Sequence, residues 1–196
     1  MKKNSVATDI AYVAVFTALV IVMAFVSIPV GTAGVPIVMQ NAVLILAGLV
    51  LGGRRGLMTG ALFLLLGLVG LPVLAGGRPV LPALAGPSVG YIVGYLISPW
   101  IAGLIAYRSP RNKAGMAMVL AIAGIVGLLL QYTCGAIGLM VRSGLELGAA
   151  AAAQLTFMPV DAAKIAVAVV IALAVHAAFP DLMGARKRTA AKAARA

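Results

Sequence analysis

Charge is what this chain has least of. Of its 196 residues 10% are charged, only four of those acidic, and it holds one cysteine, one histidine and one tryptophan. Each shortage excludes something. A lone Cys134 makes no disulfide within the chain, and with His176 as the single imidazole there are too few ligands for an ordinary zinc site. No G-x-x-x-x-G-K-[ST] occurs, so the chain does not hold ATP by a P-loop, and neither H-E-x-x-H nor a plausible Ser/His/Asp set is there for hydrolysis. A protein that is not an enzyme and carries no cofactor is expected. The formal net charge is +11, yet no basic groove or aromatic platform accompanies it, so nucleic acid is not an expected partner.

What fills the chain instead is apolar. Hydrophobic types make up 63%, where a soluble domain is about half apolar and about a quarter charged. No charge falls between Asp9 and Arg54, between Arg55 and Arg78, between Arg78 and Arg108, or between Lys113 and Arg142. A bilayer core of about 30 Å needs about 20 mostly apolar residues per helix. The sequence therefore predicts one all-α, polytopic membrane domain with six spans, near 10–28, 38–51, 57–71, 88–107, 114–141 and 157–178. Pro29 closes the first span and Pro180 the last, and Gly52-Gly53 ends the second. Residues 72–87, rich in glycine and proline, read as a loop or re-entrant segment, 147–154 as a short outer helix, and 184–196 as a basic tail.

Twelve of the fifteen basic residues fall on one side of this parse: Lys2, Lys3, Arg54, Arg55, the loop from Arg108 to Lys113, and the tail. Arg78 and Arg142 fall opposite, and Lys164 lies within a span. The positive-inside rule then puts both termini in the cytoplasm. Glycines are frequent within the spans, and the pairs Gly60/Gly67 and Gly90/Gly94 read as close-packing faces between helices in lipid.

Few polar residues remain to carry function. Asp161 and Lys164 sit three apart at the start of the last span, on one helical face. Charges in a span are costly and usually face a cavity, so the pair is a candidate site for a small ligand bearing N–H donors and a carboxylate. A structural reading stands beside it: Pro159 occupies the first turn, Asp161 complements the helix start and Lys164 snorkels outward. Arg78, next to Gly76 and Gly77, is either a carboxylate partner or a solvated loop charge. Tyr91 is either a pocket wall or an interfacial anchor. Gln40 and Asn41 begin the second span and either line a pocket or satisfy each other and the preceding loop. Gln131 and Tyr132 either bond across helices or line a pocket, and His176 is expected to lie at the interface.

Several blocks together resemble the BioY family, the substrate-capture (S) subunits of energy-coupling-factor biotin transporters. They are Val35-Pro36-Ile37-Val38-Met39-Gln40, Leu49 to Gly56, Leu66 to Gly77, Gly86 to Tyr95, and Pro159 to Lys164 with its D-x-x-K. The resemblance implies an S-component fold, a biotin pocket near the outer face, and Asp161 and Lys164 as biotin contacts. It implies that Ala14 and Ala18 of an A-x-x-x-A face dock on a transmembrane coupling subunit, which works with two ATPase subunits in a bacterial cell membrane. This chain departs from the family pattern at Pro79-Val80 and Val89-Gly90, where further glycines are common. The competing expectations are an S-component for another vitamin, a proton-coupled secondary transporter with Asp161 as carrier, and a scaffold protein without a ligand.

Overall fold

The computed structural model describes residues 6–28, 35–110 and 112–183. The expected stop at Pro29, the loop 30–34, Lys2, Lys3, Arg111 and the basic tail 184–196 lie outside the described residues. The chain is built from helices α1 (Val6–Val22), α2 (Gln40–Leu51), α3 (Gly53–Leu68), α4 (Val80–Leu84), α5 (Val89–Ala106), α6 (Lys113–Ser143), α7 (Leu147–Leu155) and α8 (Met158–Ala178). Among the described residues, four stretches are long and apolar enough to cross a bilayer: Val6–Phe25, Val89–Ala106, Lys113–Ser143 and Met158–Ala178.

The second and third expected spans are shorter. At 1.5 Å per residue the 12 residues of α2 reach about 18 Å and the 16 of α3 about 24 Å, against about 30 Å of hydrocarbon. The reason α2 stays apolar despite its length is its position. It packs against α1, α3, α5, α6 and α8, and every one of its residues is buried. It is the bundle's central rod. Ile45 and Leu49 join one apolar cluster with Ala102, Leu120 and Ile165, while Val43 and Leu44 join another with Val20, Phe63 and Val80.

An enclosed helix must have its end groups satisfied by protein. At the C-terminal end of α2 the amide of Gly52 donates to the carbonyl of Gly48 at 2.9 Å. The Tyr107 hydroxyl donates to the Val50 carbonyl at 2.7 Å, and His176 Nε2 lies 2.9 Å from the Leu49 carbonyl. A carbonyl only accepts, so Nε2 carries the hydrogen. The two rings meet edge-on with centroids 6.2 Å apart. His176 is therefore a buried cap and not the interfacial residue that its position near a span end suggests.

Other boundaries also differ from expectation. Helix α1 does not run to residue 28. After a 3₁₀ turn at Met23–Phe25, β1 (Ser27–Ile28) pairs antiparallel with β2 (Ile37–Val38), so the chain is not purely helical. Arg54 and Arg55 lie inside α3 and not in a loop before it. The glycine- and proline-rich segment 72–87 contains the one-turn helix α4. The outer helix α7 forms as expected. Gly90 and Gly94 do face α6, Gly90 against the backbone of Cys134 and Gly138 and Gly94 against Gln131.

Helix α1 is held mainly by Val13, Thr17 and Val20 against α2 and α3. Near its start, Arg55 of α3 bonds the Asp9 carboxylate and stands 5.3 Å from the centre of the Tyr12 ring. The pair is partly exposed, so its contribution is about 1 kcal/mol or less. Replacing Asp9 with Asn should lower the melting temperature in detergent by only a few degrees; collapse of the fold would show that the pair carries far more.

Candidate functional site

Two hollows open beside the N-terminal ends of α2 and α8. The first is lined by Val35 to Val38, Asn41, Tyr91, Tyr95, Gln131, Tyr132, Phe157 and Asp161. The second is lined among others by Gln40, Leu74, Ala75, Arg78 and Ser88. Val35, Pro36, Val38, Tyr91 and Tyr95 border both, so the spaces adjoin across one shared wall.

Asp161 stands at the first hollow in the opening turn of α8, where Pro159 suits the helix start and the helix dipole favours the carboxylate. Lys164 follows one turn later, and both are buried. Lys164 Nζ lies 2.7 Å from Asp161 Oδ1, 2.6 Å from the Val38 carbonyl and 3.4 Å from Asn41 Oδ1. These three acceptors match its three protons. Asn41 Nδ2 donates to Asp161 Oδ1 at 3.1 Å, and the Tyr132 hydroxyl donates to Asp161 Oδ2 at 2.8 Å. The network ties α8 to α2, α6 and β2. Two charges that would be costly if unpaired in an apolar bundle are thus matched.

The remaining candidates spread over the two hollows. Tyr91 contributes a ring to both walls, its hydroxyl donating to Gln154 Oε1 of α7 at 2.7 Å and its ring meeting Phe157 edge-on. Gln40 borders the second hollow, but its amide nitrogen is spent on the carbonyls of Val20 (3.1 Å) and Val73 (2.8 Å). It holds α1 and the 72–78 segment to α2. Arg78 also borders the second hollow; its Nε donates to the Ala75 carbonyl, and its side chain is exposed. Gly76 and Gly77 do not line either space. They make the tight turn that joins Leu74 to Arg78, with φ of 73° and 69°, a conformation that favours glycine. Ala14 and Ala18 lie elsewhere, exposed on α1 on the side turned from the bundle.

Sequence reasoning undervalued Asn41, Tyr95 and Tyr132. Asn41 was visible as an amide in a span, and Tyr132 as a hydroxyl beside Gln131. Tyr95 gave no signal, since a tyrosine in an apolar run is unremarkable by composition.

A family model described as BioY matches residues 1–181. The chain belongs to the BioY family. Among proteins of the family, the biotin transporter BioY of Rhodobacter capsulatus is 35% identical over 188 residues, spanning 91% of this chain and 98% of that protein. The biotin transporter BioY of Rhizobium etli is 32% identical, spanning 89% and 96%. The fold matches the crystal structure of the S-component for biotin from an ECF-type ABC transporter, with a TM-score of 0.80, 31% identity, and coverage of 90% of this chain and 94% of that one. These BioY relatives are transporters. Family membership and the apolar helices make this a multi-pass membrane protein.

Proposed function

We propose that this chain is the biotin-binding S subunit of an energy-coupling-factor importer, and that Asp161 and Lys164 form the polar end of its biotin pocket. The observation that carries this reading is the buried Asp161–Lys164 pair, with Asp161 on the wall of a hollow lined by aromatic side chains, in a chain of the BioY family. Biotin is a cyclic urea fused to a thioether ring with an apolar acid tail. The carboxylate of Asp161 suits a urea N–H, and Lys164 beside it pairs with that carboxylate and holds its orientation. Tyr91, Tyr95 and Phe157 supply aromatic surface for the rings. The tail runs along the shared Tyr91–Tyr95 wall toward the second hollow, where Arg78, on the turn set by Gly76 and Gly77, faces the acid. Gln40 supports this region through its bond to the Val73 carbonyl.

In this reading α1, α2, α3, α5, α6 and α8 are the six membrane helices, with α2 and α3 shielded by their neighbours where they fall short of the bilayer thickness. The charge distribution supports both termini on the cytoplasmic side of a bacterial plasma membrane and the pocket on the outer side. Import then draws on a membrane-embedded coupling subunit and two ATPases, since this chain has no P-loop. Ala14 and Ala18, small, exposed and four residues apart, suit close helix contact with that subunit.

The test is equilibrium binding of labelled biotin to purified protein in detergent. Saturable binding that unlabelled biotin displaces and thiamine or riboflavin do not is the expected result. A folded sample that binds no biotin would refute the proposal.

A further inference from the structure

The first hollow contains polar atoms that no described residue uses. Gln131 is 2% exposed, and its Nε2 donates to Ser98 Oγ at 2.7 Å and toward the Asn41 carbonyl at 3.3 Å. Because that carbonyl only accepts, the amide is oriented with nitrogen inward and Oε1 turned the other way. Oε1 has no partner among the described residues. Tyr95 is 8% exposed, and its hydroxyl likewise has none. Neither atom is sealed in the core: among the described residues the buried side-chain atom without a partner is His176 Nδ1. Both groups therefore reach the open space that their side chains line. The third element is Asp161. A carboxylate offers about four lone-pair positions. Asn41 and Lys164 take Oδ1 and Tyr132 takes one position on Oδ2, which leaves Oδ2 one more.

The wall thus presents an acceptor on Asp161, a hydroxyl on Tyr95 and an acceptor on Gln131. We propose that Tyr95 and Gln131 are specificity-determining contacts that, together with Asp161, read the edge of a cyclic urea. The two N–H groups donate to Asp161 Oδ2 and Gln131 Oε1, and the Tyr95 hydroxyl donates to the urea oxygen. No proton changes owner and no charge is added. This rests on the biotin reading and deepens it. Buried groups built to be paired discriminate strongly against a ligand that leaves one of them unpaired. A ligand with an ester or a plain ring at this edge is rejected even when its shape fits.

The experiment is a titration of biotin, and of biotin methylated at one or the other urea nitrogen, into the wild type, Tyr95→Phe and Gln131→Met. Tyr95→Phe keeps the ring and should bind biotin about tenfold or more weakly at an unchanged melting temperature. In the wild type, methylation at either nitrogen should weaken binding. In Gln131→Met the penalty should disappear for one nitrogen and persist for the other, a pattern that a purely structural role for Gln131 would not produce. Wild-type biotin affinity in both variants overturns the inference while leaving the biotin reading intact. A folded wild type that binds no biotin overturns both. If Gln131→Met does not fold, the Tyr95→Phe arm and the methylated ligands on the wild type still decide the matter.

Discussion

Asp161→Ala and Lys164→Ala should each reduce biotin binding by at least about a hundredfold and also lower the melting temperature sharply. The two losses have separate causes. Removing one partner of a buried ion pair leaves the other charged and unmatched, which costs about 3–5 kcal/mol. That is a large share of a total stability of about 5–15 kcal/mol. In Asp161→Ala the ammonium keeps the Val38 carbonyl but faces no counter-charge; in Lys164→Ala the carboxylate keeps only Asn41 and Tyr132. The double variant Asp161→Asn/Lys164→Met carries no charge, so most of the melting temperature should return. Biotin binding should return only in part, because a neutral amide oxygen accepts the urea N–H more weakly than a carboxylate does. Melting curves and titrations on the three variants separate the effects. Wild-type affinity in the double variant would show that the pair serves the fold alone.

The second large effect concerns backbone contact, not charge. Gly48 of α2 and Gly56 of α3 both press on the main chain of Pro99 in α5, and a Cβ built at Gly56 would stand 2.9 Å from the Gly48 Cα. Three helices meet here with nothing but backbone between them. A side chain at Gly48 has no flexible neighbour to push aside; it must move α5. Gly48→Val should therefore yield little or no monodisperse protein, with a destabilisation beyond the about 1–3 kcal/mol of ordinary overpacking. Gly148→Ala in α7, where nothing lies within 4 Å of an added Cβ, should melt like the wild type. Size-exclusion profiles of both variants check this, and a well-behaved Gly48→Val would mean that the helices are not in such close register.

The contrast between those predictions reflects what a sequence makes visible. Long, mostly apolar runs marked α1, α5, α6 and α8, because lipid imposes apolarity over a fixed length. The start of α3 was hidden: Arg54 and Arg55 look like a loop at a membrane surface, yet helical backbone at a surface accepts arginines equally well. The pairing of Ser27–Ile28 with Ile37–Val38 was hidden as well, since two apolar residues after a helix look like more helix until a distant strand claims their hydrogen bonds. Helix α4 escaped notice because Pro82 lies in it, although proline is tolerated in a first turn. At the candidate site, Asp161 and Lys164 stood out as charges in an apolar run. Gln40 and Asn41 could not be ranked. Adjacent residues on a helix point about 100° apart, and only the packing reveals that Asn41 turns to Asp161 while Gln40 turns to Val20 and Val73.

The cap on α2 bears on how the chain is made. The carbonyls of Leu49 and Val50 take their hydrogen bonds from His176 and Tyr107, 127 and 57 residues later. During synthesis the helix at the centre of the bundle emerges early, too short to span the bilayer and with its far end unfinished. Its last donor arrives only with the closing turns of α8. The middle of the molecule is thus the part completed last, and α2 depends on the later helices for the partners that let it rest in an apolar interior.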